Sequence, residues 1–270
     1  MGVFSMHSNV FLKTRGLKKE SYFIIILAML FFVGLNPLLA QSKPDPKALI
    51  KQVDDLSDFS GKDFSAVFTI VTQKPGEKDS VTQARIFRRD LKKQFVILIL
   101  LPEVNKGQGY LREDDNVWFY DPTSRKFSHS SMKENLQNTK AKNSDFTLST
   151  FAEDYTVTKM TDGMVGKFPV WILDLKAKTN EVAYDRVVLY IRKDRTMLLK
   201  REDYSVNGRL MRTTAYPKYV ELEGRLLPSQ ILIVDEVNKG EKSQITMAEQ
   251  SVSPLPDRVF TKAFLEQVSR

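Results

Sequence analysis

After residue 61 the chain alternates between apolar and polar positions, which is the pattern of β-strands with one buried face. The first such run places on one face Phe64, Ala66, Phe68 and Ile70. Later runs of similar length are separated by turn residues, and the pair Asn207-Gly208 is the clearest two-residue hairpin signal. Short strands at regular spacing with turn signals between them predict an antiparallel meander, sandwich or barrel.

The stretch from Leu101 to Phe127 holds two short strand-like runs, Gly109–Arg112 and Val117–Tyr120. The polar residues 113–116 between them are typical of a hairpin turn. The pair Asp121-Pro122 ends the second run, because proline donates no hydrogen bond to a ladder. We expect an aromatic hairpin with charged tips that carries no nucleophile, metal cluster or phosphate loop.

Helical signals stand at the beginning and the end of this β-rich region. Asp45 is a good helix cap, and Pro46 is favoured at a first helical position, so a helix is predicted from Pro46 to about Leu56. Thr261 is a suitable cap for a last helix over Lys262–Val268. Each segment has one apolar face, which predicts packing against the sheet.

The middle of the chain is less regular. A nearly continuous apolar run, Gln94–Leu101, predicts a strand that is covered on both faces. The polar segment Lys133–Ser144 is predicted to be a long loop. A short helix capped by Ser144 or Asp145 is expected next, presenting aromatic residues up to Phe151 to the sheet. About ten strands with two or three helices favour a mainly β (α+β) fold, an open antiparallel barrel closed by helices.

The first 40 residues have the order of a secretory signal peptide. A basic start is followed by the apolar run Tyr22–Leu35 and then by Ala40, after which cleavage is expected. The run is shorter than the roughly 20 residues that a membrane-spanning helix needs. Leu38 stands where cleavage favours a small residue, so an uncleaved inner-membrane anchor is the alternative. Residues 1–40 are predicted to be a signal peptide and residues 41–270 one periplasmic domain.

Composition narrows the classes of function. The 270-residue chain has no cysteine, two histidines and a formal net charge of +8. The charges are mixed, and no basic block or motif points to a nucleic-acid partner. His129, in a segment predicted to be a polar loop, lacks the partners of a zinc site. Ser130–Lys133 fits S-x-x-K but lacks the companion motifs of penicillin-binding enzymes. We therefore predict no catalytic residue, no metal site and no cofactor.

Several short motifs resemble the LolA-type outer-membrane lipoprotein-sorting proteins, and most closely the LolA-like envelope proteins often associated with inner-membrane exporters. In chain order these motifs are Lys106–Leu111, Asn116–Pro122, Ser131–Asn135 and Glu153–Tyr155. The element order agrees over most of residues 45–267. The resemblance implies a half-open antiparallel β-barrel closed by two or three short helices. It also implies a hydrophobic cavity for the acyl chains of lipids or lipoproteins.

The same resemblance implies a carrier without catalytic residues. Its cargo would be an acylated lipoprotein or a lipid, its donor an inner-membrane exporter, and its acceptor a component of the outer membrane. In LolA proteins an arginine near the cavity is tied to lid opening, and Arg85, Arg88 and Arg112 are the candidates here. The alternative function is an envelope sensor or adaptor, or an accessory subunit of an exporter, that uses this fold without carrying cargo.

Alternation supplies candidates for the lining of the cavity. In Phe168–Ala177, Asp174 and Lys176 mark the solvated face, so the alternate residues Trp171, Leu173 and Leu175 point inward. The residues predicted to bind lipid are Phe64, Phe68, Ile70, Val96, Leu98, Leu100, Trp118, Phe151, Trp171, Leu173, Leu175, Val187, Leu189 and Ile191. Periodicity does not distinguish a filled core from a cavity, so both interpretations stand for each of them.

Overall fold

The computed structural model describes residues 43–59 and 61–269. Its α-helices are α1 at Pro46–Asp55, α2 at Phe151–Asp154 and α3 at Lys262–Val268. No helix within these described ranges is long and apolar enough to cross a membrane. The predicted signal peptide lies outside the described residues.

One antiparallel sheet of 13 strands makes up most of the described chain. Its strands are β1 Phe64–Gln73, β2 Ser80–Arg89, β3 Gln94–Leu101, β4 Gly109–Glu113, β5 Asn116–Asp121, β6 Lys126–Ser130, β7 Tyr155–Val165, β8 Phe168–Ala177, β9 Arg186–Arg192, β10 Leu198–Tyr204, β11 Leu210–Leu222, β12 Arg225–Asp235 and β13 Lys242–Ser251. Their order in the sheet is β6-β5-β4-β3-β2-β1-β13-β12-β11-β10-β9-β8-β7. The sheet is therefore not closed, which confirms the predicted half-open architecture, with more strands than expected.

The sheet consists of two meanders that meet where β1 pairs with β13. At this junction Ile70 lies opposite Ile245, and Phe68 lies opposite Met247. One meander ends at the edge strand β6, and the other begins at the opposite edge strand β7. The chain between these edges, residues 131–154, has to travel from one side of the sheet to the other. We call residues 131–154 the covering segment.

The turns and caps predicted from the sequence are present. The β4–β5 hairpin turns at Asp114, which has a φ of 55°, and Gly208 has a φ of 80° in the β10–β11 hairpin. Asp45 accepts a hydrogen bond from the N–H of Ala48 at 2.9 Å and so caps α1. Thr261 caps α3 in the same way. Side-chain caps satisfy N–H groups that have no partner within the helix.

The segment after Ser144 differs from its prediction. It does not form one helix: a single 3-10 turn covers Asn143–Phe146, and α2 begins only at Phe151. Asp145 accepts a hydrogen bond from the N–H of Lys142, the residue before the turn, at 2.8 Å. The carboxylate of Asp145 also binds Arg212 of β11, so a tertiary contact determines the local conformation.

The segment predicted to be a polar loop around His129 is the edge strand β6. It pairs with β5 along its length, and His129 lies opposite Trp118 with the two rings 5.5 Å apart. An edge strand tolerates polar residues because one side of its backbone faces solvent. Polarity alone therefore did not reveal this strand.

The helix α3 and the 3-10 turn before it pack on one face of β3–β5, here called the outer face. Phe260 and Leu265 are buried there together with Val96 and Leu111. The opposite face of β3 is also buried, through Ile97 and its alternate neighbours. This confirms the prediction that Gln94–Leu101 is covered on both sides.

An arginine of the sheet fixes the chain that leads into α3. Arg89 binds both carboxylate oxygens of Asp63, at 2.8 and 2.9 Å, and donates to the carbonyl of Leu255 at 2.6 Å. Its guanidinium also lies 4.5 Å from the centre of the Phe260 ring. The hydrogen bonds from Arg89 hold the pKa of Asp63 below its ordinary value.

Gly109 allows α3 to approach the sheet closely. A Cβ atom at this position would lie 2.5 Å from Cδ2 of Leu265 and 3.0 Å from the carbonyl oxygen of Ile97. Real carbon atoms do not approach each other this closely, so any larger residue would push α3 outward.

We predict that Gly109→Ala lowers the free energy of unfolding by about 1–3 kcal/mol, the usual cost of overpacking. In a Leu265→Ala background the same substitution should cost less, because the added methyl group fills vacated space. Urea denaturation of the four proteins of this cycle measures the coupling. An equal cost in both backgrounds would show that the contact with α3 is not the cause.

Candidate functional site

Two buried apolar clusters lie on the sheet face opposite α3, here called the inner face. The first cluster spans β1–β5, β12 and β13, and includes Ile70 and Ile97. The second spans β8–β10 together with α1 and α2, and includes Leu173 and Leu189. Between them, in the order of the sheet, stands β11.

The strand register shows that both clusters share one face. Residues directly opposite each other on neighbouring strands point to the same side of a sheet. Leu189 lies opposite Arg201, Arg201 opposite Thr214, and Thr214 opposite Ile233. Leu189 belongs to the second cluster and Ile233 to the first. The inner face therefore runs from one cluster to the other through Arg201 and Thr214.

Most residues that the sequence placed in the cavity lining are buried on the inner face. They are Phe64, Phe68 and Ile70 in the first cluster, and Phe151, Trp171, Leu173, Leu175, Val187, Leu189 and Ile191 in the second. Their inward position is confirmed. Their contact with a lipid stays a prediction.

The inward assignment along β3 is wrong. Val96 is buried under α3 on the outer face, and Leu98 packs against the same group. Leu100 has no cross-strand partner on β2, because a bulge there leaves it between two paired residues. The inner positions belong to Phe95, Ile97 and Ile99. A strand that is apolar throughout has no polar residue to mark its two faces, so alternation could not assign them.

Trp118 also lies on the outer face. Its ring packs against the cluster under α3, and Nζ of Lys262 lies 3.7 Å from the ring centre. The inner positions of β5 are held by Val117 and Phe119. Both faces of this hairpin carry aromatic residues, so aromatic character did not distinguish them.

The covering segment closes the inner face with its own apolar side chains. Leu136, Ala141 and Phe146 are buried in the first cluster. The Phe146 ring meets the Phe68 ring edge to face, with the ring centres 5.3 Å apart. Further along the segment, Phe151 is buried in the second cluster. The segment therefore contacts both apolar parts of the inner face.

Lys140 ties the covering segment to β12 and β13. Its ammonium group lies 2.9 Å from a carboxylate oxygen of Asp235 and also pairs with Glu241. Its backbone N–H donates to Oγ of Ser243 at 3.0 Å. The Ser243 hydroxyl in turn shares a buried hydrogen bond with Thr72 at 2.7 Å.

Asp54 ties the covering segment to α1. Its carboxylate accepts hydrogen bonds from the N–H groups of Phe151 and Ala152, at 3.0 and 2.8 Å, and from the hydroxyl of Ser149 at 2.6 Å. Burial raises the pKa of Asp54 even though these hydrogen bonds oppose the shift. The two elements that cover the second cluster are therefore linked to each other.

A buried ionic cluster lies on the inner face where β10 and β11 pass under the covering segment. Arg212 of β11 binds both carboxylate oxygens of Asp145, at 2.6 and 3.0 Å. Its Nε donates to Asp203 of β10 at 2.7 Å. Arg201 binds the other oxygen of Asp203. The side chain of Arg212 is 5% exposed, and that of Asp203 is fully buried.

Opposite charges in this cluster stabilise each other's ionised forms. Burial alone would raise the pKa of Asp145, but the charge of Arg212 and its hydrogen bonds hold that pKa below the ordinary value. Burial would likewise lower the pKa of Arg212, and Asp145 and Asp203 keep it well above the ordinary value. Both groups are therefore charged at neutral pH.

Aromatic rings and one unpartnered hydroxyl surround the ionic cluster. The Tyr184 ring centre lies 5.1 Å from the guanidinium of Arg212 and 5.9 Å from that of Arg201. Thr214, opposite Arg201 and two residues from Arg212 on the inner face, is 3% exposed, and its Oγ1 has no hydrogen-bond partner. An unsatisfied buried hydroxyl costs free energy, so its presence calls for an explanation.

The arginine in contact with the covering segment is not one that the sequence suggested. Arg85 pairs with a glutamate of β13, Arg88 with the aspartate that follows β2, and Arg112 with the backbone of the β4–β5 turn. Arg212 instead binds Asp145, 67 residues earlier in the chain. No local pattern marks this pair, because only the folded sheet brings its two members together.

Two cavities lie away from the apolar inner face. One, of about 240 Å³, is on the outer face of β7–β10 and is lined by polar residues such as Asp174, Arg186 and Glu202. The other, of about 280 Å³, lies beside α1 and α2. On the inner face, side chains of the covering segment occupy the space over the first cluster. An acyl chain would have to displace Phe146 and its neighbours to bind there.

Comparison with solved structures places this fold among LolA-like proteins. A LolA superfamily protein from Nitrosomonas europaea matches with a TM-score of 0.73 and 22% identity, covering 82% of this chain and 100% of that one. A DUF1329 family protein from Desulfovibrio piger matches with a TM-score of 0.73 and 19% identity, over 81% and 97% of the two chains. A Vibrio parahaemolyticus domain named for outer membrane lipoprotein sorting matches with a TM-score of 0.72 and 16% identity, over 82% and 97%.

The fold expected from the sequence motifs is therefore confirmed. No curated protein matches the sequence itself. Residues 91–267 match the model of a family described as uncharacterized protein. Since this match spans most of the chain, the protein belongs to that family.

The ionic cluster predicts how stability depends on pH. A carboxyl whose pKa is lowered by folding adds stability above its unfolded pKa, and this contribution is lost as the pH falls through the folded value. For Asp145 the ordinary value is 3.8 and the folded value is lower. We expect the free energy of unfolding to fall more steeply for the wild type than for Asp145→Asn as the pH drops below about 4.

Urea denaturation between pH 7 and pH 3 measures the two curves. At neutral pH the variant should be less stable by up to about 3 kcal/mol, because Arg212 loses its charged partner. The other carboxylates are common to both proteins, so their titration cancels in the difference between the two free energies of unfolding. Parallel curves would mean that folding does not lower the pKa of Asp145.

Proposed function

We propose that the protein is a periplasmic carrier that binds acyl chains of lipoproteins or lipids on its inner face and moves them towards the outer membrane. The observation that carries this proposal is an apolar inner face closed by one covering segment. The LolA-like fold supports it, since one structure with this fold is named for outer membrane lipoprotein sorting. The signal-like residues 1–40 would direct the protein to that compartment.

An acyl chain needs a protein carrier to cross an aqueous compartment. Each methylene group gains roughly 0.8 kcal/mol on leaving water, so a chain of about 16 carbons strongly resists crossing an aqueous compartment alone. An apolar face that accepts the chain removes this barrier. Binding and release break no covalent bond, so the proposed role needs no catalytic residue and no cofactor.

A carrier must also release its cargo, and the covering segment supplies the means. When the cargo leaves, Phe146 and Leu136 return to the first cluster and regain their burial. Burying a ring such as that of Phe146 contributes about 1.5–3 kcal/mol. The contact of Arg212 with Asp145 further stabilises the closed state. We propose that Arg212 has the role that an arginine near the cavity has in LolA proteins.

The direction of transport implies two partners. An inner-membrane exporter would deliver the acylated lipoprotein or lipid, and an outer-membrane acceptor would receive it. The energy of closure limits how tightly cargo is held, because a ligand shifts the equilibrium only by its differential affinity for the open state.

Mass spectrometry tests the carrier function directly. Organic extracts of the protein, purified from the periplasm without detergent, should contain an acylated species in near-stoichiometric amount. A lipid-free protein that also fails to take up a fluorescent fatty acid would contradict the carrier function.

A reversible lock on the covering segment tests the route of entry. The chain has no cysteine, so Lys140→Cys with Ser243→Cys introduces a single pair of cysteines that can form a disulfide. In the wild type, the backbone nitrogen of Lys140 lies 3.0 Å from Oγ of Ser243. The oxidised protein should lose uptake of the fluorescent fatty acid, because the segment stays closed. The same protein after reduction is the matched control and should recover uptake. Equal uptake in both forms would show that this segment does not gate the inner face.

A second function is an envelope sensor or adaptor, or an accessory subunit of an exporter, without cargo. The observation that favours it is the filled inner face, which the covering segment closes with buried apolar side chains. In that case the fluorescent fatty acid should not bind, and a partner protein should protect part of the surface from hydrogen exchange.

A further inference from the structure

The geometry points to a site for an anionic head group, a carboxylate or a phosphate, formed by Arg201, Arg212 and Thr214 on the inner face. This inference rests on the proposed carrier function and names the class of its cargo: an acyl chain with an anionic head group. In the closed state the carboxylate of Asp145 occupies the site.

Arg212 presents the geometry that recognises such groups. Its two terminal nitrogens bind the two oxygens of Asp145 side by side, at 2.6 and 3.0 Å. The planar guanidinium fork fits carboxylate and phosphate oxygens in the same bidentate manner. The site is buried, which strengthens a charge-assisted hydrogen bond relative to one in water.

The covering segment itself resembles an anionic amphiphile bound in place. Asp145 puts a carboxylate on Arg212, and the next residue, Phe146, puts an apolar ring into the first cluster against Phe68. A charged group and an apolar group thus enter the inner face side by side. A ligand with a carboxylate or phosphate head and an acyl chain would satisfy both positions at once.

Removal of Asp145 would leave the site with an excess of positive charge. Arg201 and Arg212 would then share only Asp203, which already binds both of them. Asp235 lies opposite Arg212 on β12; its carboxylate accepts hydrogen bonds from N–H groups of the following turn, at 2.9 and 2.8 Å, and pairs with Lys140 in the closed state. Opening of the segment therefore leaves two guanidinium groups that share one carboxylate, that of Asp203.

Thr214 is the second, independent observation. It lies directly opposite Arg201 and two residues from Arg212 in the strand register, and its buried hydroxyl has no partner in the closed state. A buried hydroxyl without a partner lowers the stability of the closed state. A phosphate or carboxylate bound to the arginines would supply the missing acceptor.

The test compares ligands that share a chain and differ in the head group. Palmitate, hexadecyl phosphate and the neutral monopalmitoylglycerol are titrated into the protein by calorimetry, below the concentrations at which they aggregate. We expect at least one anionic ligand to bind about tenfold more tightly than the neutral one, since a hydrogen bond to a charged group contributes at least that much. Whether palmitate or hexadecyl phosphate binds more tightly identifies the preferred head group.

Three variants separate a binding site from a structural role. Thr214→Val keeps the shape of the side chain and removes the unpartnered hydroxyl. It should lower the affinity for anionic ligands several-fold, leave the affinity for the neutral ligand unchanged and leave the protein at least as stable. Asp145→Asn removes the competing carboxylate and should raise the affinity for anionic ligands more than the affinity for the neutral one. Lys140→Gln loosens the same segment without removing a group that contacts the arginines. It should therefore change the affinities for all three ligands by the same factor.

The outcomes are distinct. If the three ligands bind equally, and Asp145→Asn and Lys140→Gln shift them all by the same factor, the anion site is refuted while the carrier function stands. If none of the three ligands binds to the wild type or to a variant, the carrier function and the anion site both fall. A preference for anionic ligands that Thr214→Val does not reduce would remove Thr214 from the site.

Discussion

The pairing of β1 with β13 is the constraint on which the rest of this structure depends. It joins two meanders at the middle of the sheet and leaves β6 and β7 at opposite edges. Residues 131–154 connect these edges, so the connection crosses the inner face. A closed sheet would bring the edges together, and a short turn would suffice. The same topology therefore creates an apolar face and supplies the segment that covers it.

Two kinds of contact hold that segment, and they respond to different changes. Phe146 and Leu136 are held by burial, which any acyl chain of similar volume replaces at little net cost. Asp145 is held by Arg212 in a buried ion pair. Such pairs gain little net stability, because desolvation offsets most of the attraction, but breaking one side is costly. In the proposed carrier, the ionic contact would therefore favour ligands that bring a charge of their own, whereas the apolar contacts would not discriminate.

The outer face performs a different task. There α3 and the chain before it pack over β3–β5, held by Arg89 and by the space that Gly109 leaves for Leu265. This packing stabilises one end of the sheet independently of the inner face. In the proposed carrier, the covering segment would then move without loosening the strands on which the cargo would lie.

The sequence by itself determined the capped helices, the hairpins and the inward residues of β8 and β9, because Asp174, Lys176, Arg186 and Arg192 mark the exposed face there. The LolA-like motifs also gave the half-open architecture. Only the tertiary structure decided which face of β3 turns inward, since an apolar run carries no such mark. It also decided that Lys126–Ser130 is a strand and that Arg212, not Arg85, Arg88 or Arg112, contacts the covering segment. Arg212 and Asp145 are far apart in the chain, and the path of the covering segment across the sheet brings them together.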